Sequence, residues 1–123
     1  MIKVMFCVRR LPEMTREEFQ RYWLENHAPL VRERASALGI QRYVQAHTLD
    51  SPINEALRAS RGGGEPYDGV AELWWDSLAQ MIAATSTEEG RKAGQELLED
   101  EKRFIDLASS TLWVAEEHEV VAG

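Results

Sequence analysis

The apolar positions of this chain change their period several times, and each change marks an element. Ile2, Val4, Phe6 and Val8 alternate with Lys3, Met5 and Cys7, which predicts a strand over residues 2–10 that Leu11-Pro12 ends. From Thr15 the period becomes helical. Phe19, Tyr22, Trp23, Leu30 and Leu38 recur along one face, and Gly39 is a normal helix stop. Thr15 with Glu18 forms a capping box that fixes the start, and Pro29 predicts a kink or restart inside the helix. Residues 40–49 read as a second strand. Residues 50–66 read as a loop with one or two helical turns between Asn54 and Ser60, closed by Gly62-Gly63-Gly64. A third strand is expected over residues 70–76. Ser77 caps a helical region interrupted near Thr85 to Thr87, in which Leu97, Leu98, Phe104 and Ile105 are apolar and Glu101 and Lys102 are solvated. A fourth strand is expected over residues 110–118.

The order βαββαβ is that of an α+β, ferredoxin-like fold: a four-stranded antiparallel sheet with helices on one face. The other face is not polar enough to be left wet, because Met5 and Cys7 lie there. Adjacent Trp74 and Trp75 must also point to opposite sides of the sheet. Burying a large aromatic side chain contributes on the order of 2–3 kcal/mol. The expected cover is a second copy, a homodimer through the sheet faces that packs two sheets into a dimeric α+β barrel.

Composition narrows the function. A chain of 123 residues with 44% hydrophobic positions reads as one domain, 1–123, with a core of its own. Net charge is −7, from 14 basic and 21 acidic residues, and no basic run exceeds Arg9-Arg10, so nucleic acid is not an expected partner. A single cysteine, Cys7, leaves no intramolecular disulfide. The triple glycine belongs to neither GxGxxG nor GxxxxGK and reads as connection. With no signal peptide or apolar span in view, a cytoplasmic protein without membrane contact is the expectation.

One residue stands out chemically. His27 follows Trp23 by four residues and Phe19 by eight, so an imidazole shares the apolar stripe. A titratable ring walled by aromatics suits a general acid or base, and it equally suits a hydrogen-bonded core histidine. Phe6, Tyr22, Trp23, Trp74 and Trp113 are candidate walls of a small-molecule pocket, with simple core packing as the alternative. Tyr43, Gln45 and His47 share one face of the second strand, either lining a cavity between two sheets or facing solvent. Arg10, Asp68, Glu72 and Asp106 read as surface ion-pair partners. His27, His47 and His118 lack H-x-x-x-H or H-x-H spacing and no G-x-S-x-G is present, so neither a metal site nor a serine triad is expected.

Several segments together resemble the EthD family of dimeric α+β barrels. These are FQRYWLENHAPLV after a short strand and turn, YDGVAELWWDS at residues 67–77, DEKRFID at residues 100–106, and Glu116-Glu117 after Trp113. The resemblance implies a homodimer with a cavity for a small hydrophobic, aromatic or polyketide-like ligand, and no cofactor. It also implies that His27, as the histidine of the H-x-P element, is catalytic. From the residue pattern itself, Phe6, Tyr22, Trp23, Tyr43, His47, Trp74 and Trp113 are the residues expected to bind substrate. The activity implied is proton-transfer chemistry of dehydratase, isomerase or decarboxylase type. A cofactor-free monooxygenase, a non-catalytic ligand-binding accessory protein, and haem ligation through His27 are the alternatives.

Overall fold

Four antiparallel strands form one sheet in the order β2-β3-β1-β4: β1 is Ile2–Val8, β2 Arg42–His47, β3 Gly69–Trp75 and β4 Thr111–Glu116. The computed structural model describes every residue, Met1–Gly123. Register follows from the alternation of the strands. Phe6 lies opposite Ala71 and Leu112, Ala71 lies opposite Gln45, and Leu73 lies opposite Tyr43. Val4, Phe6, Val8, Ala71, Leu73, Tyr43 and Gln45 therefore share the face that packs on the helices. Met5, Cys7, Val44, Val70, Glu72, Trp74 and Trp113 share the other.

The first crossover begins at α1, Arg16–Tyr22, where Thr15 Oγ1 accepts from the Glu18 N–H at 3.1 Å and Glu18 Oε1 accepts from the Thr15 N–H at 2.9 Å. A π-helical turn, Trp23–His27, separates it from α2, Ala28–Leu38. The Ala28 N–H there donates to the Trp23 carbonyl, five residues back. Pro29 gives a physical reason for the wider turn, since it has no N–H and its ring crowds the carbonyl four residues earlier. The expected kink is thus one turn wound wider, with no break in the helix. Gly39, at φ 71°, ends α2.

Residues 50–66 carry more structure than expected. Pro52–Arg61 is a ten-residue helix, α3, started by Ser51 and Pro52 and stopped by Gly62 at φ 62°. The second crossover splits as the threonines imply, into α4, Leu78–Ser86, and α5, Glu88–Glu101, with Thr87 Oγ1 capping α5 through the Gly90 N–H at 2.9 Å. Two apolar clusters hold the helices down. Phe19, Trp23 and Phe104 pack on Phe6, Val8 and Ala71, while Val31 and Leu38 of α2 meet Ala93 and Leu97 of α5.

Two expectations about exposed residues need correcting. Asp68 does pair with Arg10, at 2.6 Å, but it is buried, and it also accepts from Arg16 Nε at 2.9 Å and the Arg10 N–H at 2.8 Å. Desolvation works against the charge, and these hydrogen bonds outweigh it, holding the carboxyl below its usual range. It clamps the ends of β1 and β3 to α1 and is no surface pair. Trp74, meanwhile, needs no second copy to be covered. It is 5% exposed within one protomer, with the Lys3 and Arg42 cations over its ring at 5.1 and 4.6 Å and Nε1 donating to Glu117 at 2.9 Å. No helix is long and apolar enough to cross a membrane.

Candidate active site

The π turn and the last turn of α5 meet over the sheet, and their side chains build the site. His27 is 4% exposed. Its Nδ1 lies 2.7 Å from Asp100 Oδ2, while Asp100 Oδ1 accepts from the Tyr22 hydroxyl at 2.6 Å and from Arg103 Nη1 at 3.2 Å. Burial opposes the charge on Asp100, but the donors Tyr22, His27 and Arg103 prevail and hold its pKa low. An ionised Asp100 makes Nδ1 the protonated nitrogen of a neutral imidazole. Burial agrees, pushing His27 below its ordinary value against the pull of Asp100. Nε2 is then the basic nitrogen. It has no hydrogen-bond partner in the protomer.

His27 lines a cavity of about 40 Å³ between the helices and the sheet. Its apolar walls are Phe6, Val8, Ala71 and Leu73 of the sheet, Trp23 and Val31 of the first crossover, and Leu97 and Ile105 of the second. Tyr43 and Glu101 are its other polar groups. Burial pushes the Tyr43 phenol up to about 12, against hydrogen bonds from Gln45 and Trp23, so its proton stays in place. Gln45 Nε2 donates to Tyr43 Oη at 2.9 Å and to the Trp23 carbonyl at 3.0 Å. An outer cleft of about 240 Å³ between α2 and β2 shares Val31 and Tyr43 with the cavity, which makes those two side chains the partition between His27 and solvent.

Trp23 is fixed from three sides. Its ring stacks on His47 at 4.7 Å and tilts against Phe19 at 5.5 Å. It also presses on Gly69, where a Cβ would collide with the indole and stand 2.6 Å from the Ala46 carbonyl. His47 Nε2 in turn donates to Gln45 Oε1 at 2.7 Å.

The cavity therefore gathers His27, Phe6, Trp23 and Tyr43 from the expected set, and leaves out four others. Tyr22 reaches Asp100 instead, and His47 braces Trp23 and Gln45 without lining the cavity. Trp74 and Trp113 lie on the opposite sheet face, because strand alternation separates them from Phe6 and Leu73. Tyr43, Gln45 and His47 face the helices, so they line no space between two sheets. The 40 Å³ beside His27 is far smaller than a porphyrin.

Asp100 and Glu101 are the functional candidates missed from the sequence. Glu101 was expected in solvent, yet it lines the cavity, and burial, helped by the charge on Asp100, pushes its pKa up to about 7. A usable signal existed: Gly90, Ala93 and Leu97 mark the buried stripe of α5, and residues 100 and 101 continue it at i+7 from Ala93 and i+4 from Leu97.

Residues 11–108 of the chain match the EthD domain. The chain belongs to the EthD family. An EthD family protein from Bacillus halodurans shares the fold with TM-score 0.63 at 23% identity, covering 96% of this chain and 99% of that one. An EthD-like protein from Ralstonia eutropha gives TM-score 0.62 at 19% identity, over 94% and 89% of the two chains. A dimeric ferredoxin-like protein of unknown function from Thermobifida fusca gives 0.56 at 13% identity, over 93% and 88%. No curated protein matches this EthD chain.

Proposed function

We propose that this EthD protein is a cofactor-independent enzyme that moves protons on a small carbonyl substrate, with His27 as the general base. The single observation that carries the reading is the Asp100–His27 pair beside the cavity. The carboxylate holds the imidazole in one tautomer by its Nδ1 proton, and Nε2 is left without a partner in a sheltered, apolar surrounding. Because Asp100 sits outside the cavity lining, the ring edge turned toward a substrate is the one away from that carboxylate.

Abstraction of a proton next to a carbonyl serves dehydration, isomerisation and decarboxylation alike, so the reading names the shared step. Tyr43, kept protonated by burial, is the donor that orients the substrate oxygen, and Phe6 and Trp23 supply the walls. A volume of about 40 Å³ holds a few waters or the reacting end of a ligand. A larger hydrophobic or polyketide-like substrate would leave its remainder in the α2–β2 cleft after Val31 and Tyr43 part. Homodimerisation through the open sheet face and a cytoplasmic location complete the proposal. The Thermobifida fusca neighbour, a dimer on the same fold, supports the first of these.

Exchange of the methyl protons of acetone in D2O, followed by proton NMR, tests the central step with a probe small enough for the cavity. The wild-type protein is expected to accelerate exchange over buffer, and His27→Ala to lose roughly 100-fold or more of that acceleration while melting close to wild type. Absence of acceleration by the wild type, or equal exchange by the variant, overturns the reading.

A further inference from the structure

We propose that Glu101 is the second proton-transfer group of this site: a carboxylic acid that hands its proton to the substrate oxygen while His27 takes one from carbon. The inference rests on the proton-transfer reading and supplies the acid that His27 lacks.

Three observations lead to it. Glu101 and His27 line the same small cavity from different elements, the end of α5 and the π turn. The carboxyl group of Glu101 makes no side-chain hydrogen bond or ion pair, although its own helix end is rich in partners. Lys102 pairs with Glu99 at 3.1 Å and Arg103 with Asp100 at 3.2 Å. A part-buried carboxylate ordinarily recruits a cation or several N–H donors, and one left among Val31, Leu97 and Ile105 avoids the cost of an unpaired charge by keeping its proton. Finally, Asp100 and Glu101 are consecutive and divide the work. The first faces Tyr22, Arg103 and the Nδ1 side of His27 and stays ionised, and the second faces the cavity. Two carboxyls pushed apart in pKa by their surroundings are the usual sign of separate acid and base duties. The titratable groups around Glu101 are His27 from the π turn, Tyr43 from β2 and Asp100 from its own helix.

The step balances without a further reactant. The C–H bond next to the carbonyl breaks, its proton goes to His27 Nε2, and its electron pair becomes the C=C bond of an enol. The carbonyl π pair moves to oxygen, which takes the Glu101 proton. His27 ends protonated and Glu101 ionised, and the reverse step from solvent-exchanged groups returns a deuterated ketone.

Infrared difference titration of the full-length protein in D2O, with Glu101→Gln as the reference, tests the acid directly. The carbonyl stretch of a protonated carboxylic acid is expected in the wild type at neutral pH, fading as pH rises, and absent from the variant. A wild type whose carboxyls are all ionised by about pH 6 overturns the inference whatever the catalysis does. Acetone exchange then gives the second arm: Glu101→Gln is expected to cut the His27-dependent rate roughly 100-fold and to remove the fall in rate at high pH. A full rate with an unchanged pH profile in that variant overturns Glu101 while leaving His27 standing. If the wild type shows no exchange at all, the function reading fails, and the infrared result still decides whether the acid is there.

Discussion

Glu101 and His27 illustrate how burial acts in opposite senses on an acid and a base. The folded state favours the neutral form of each, so His27 titrates low and Glu101 titrates high, at about 7. Their effects on stability therefore run against each other. His27, with its folded pKa depressed, has a stabilising contribution that declines as pH falls through that lowered value. Glu101, with its folded pKa raised, contributes fully below the unfolded value of about 4.5 and loses that contribution as pH rises through about 7. Glu101→Gln removes only the second dependence. The variant should accordingly gain on the wild type by about 2 kcal/mol between about pH 5 and pH 8, after allowance for the carboxyl's partial solvent contact. Urea denaturation of both proteins across that range checks it. Parallel stability curves would mean that Glu101 is ionised in the fold like any surface carboxylate.

The π turn is the element on which the site depends. An ordinary α-helical turn places successive residues 100° apart. The extra residue held between Trp23 and Ala28 resets that phase, so that Trp23 lies under Gly69 while His27 still reaches Asp100. Pro29→Ala restores an N–H and removes the ring that crowds the preceding turn, leaving an α-helical path open to the chain. The variant should stay folded, with a stability change within about 1 kcal/mol, yet lose the Asp100-bonded Nδ1–H resonance of His27 and most acetone exchange. Nitrogen-15 NMR of the imidazole reads this, and an unchanged His27 spectrum would show that the turn is held by Trp23 packing alone. Much of the surrounding architecture was legible beforehand. Alternation gave four strands, Thr15 and Glu18 gave the start of α1, and Thr87 gave the break between α4 and α5. The π turn was not legible, because a proline after a histidine reads as a kink, and the residues that Trp23 and His27 pack against, Gly69 and Phe104, are distant in sequence. Glu101 was hidden for a different reason. In the run Glu99-Asp100-Glu101 every residue looks solvated, and only the phase relative to Ala93 and Leu97 separates the exposed carboxyl from the two that turn inward.

The proposed dimer surface and the His27 cavity lie on opposite faces of one sheet. The tryptophan pair that first suggested a covering partner does not require one, since Trp74 is sheltered by Lys3, Arg42 and Glu117 of its own chain. The case for a homodimer rests on the remainder of that face. Trp113 on edge strand β4 is 46% exposed opposite Met5, and Met5, Cys7, Val44 and Val70 are only half-buried. Such a surface is more apolar than a free sheet face ordinarily is. Trp113→Glu puts a charge onto that face beside Met5. Because Trp113 is exposed in the single protomer, the substitution should change protomer stability by no more than about 0.5 kcal/mol. In a face-to-face dimer the same carboxylate would be desolvated without a partner and should drive dissociation. Sedimentation velocity is expected to show the wild type at twice the chain mass and the variant at the chain mass. The acetone exchange rate per chain should survive that dissociation, because His27, Asp100 and Glu101 stand on the helix side and draw no group from across the sheet. A wild-type monomer would remove the dimer without touching the acid–base site. Exchange lost together with the dimer would instead place the second copy's influence inside the cavity, most directly through the Val31–Tyr43 partition beside β2.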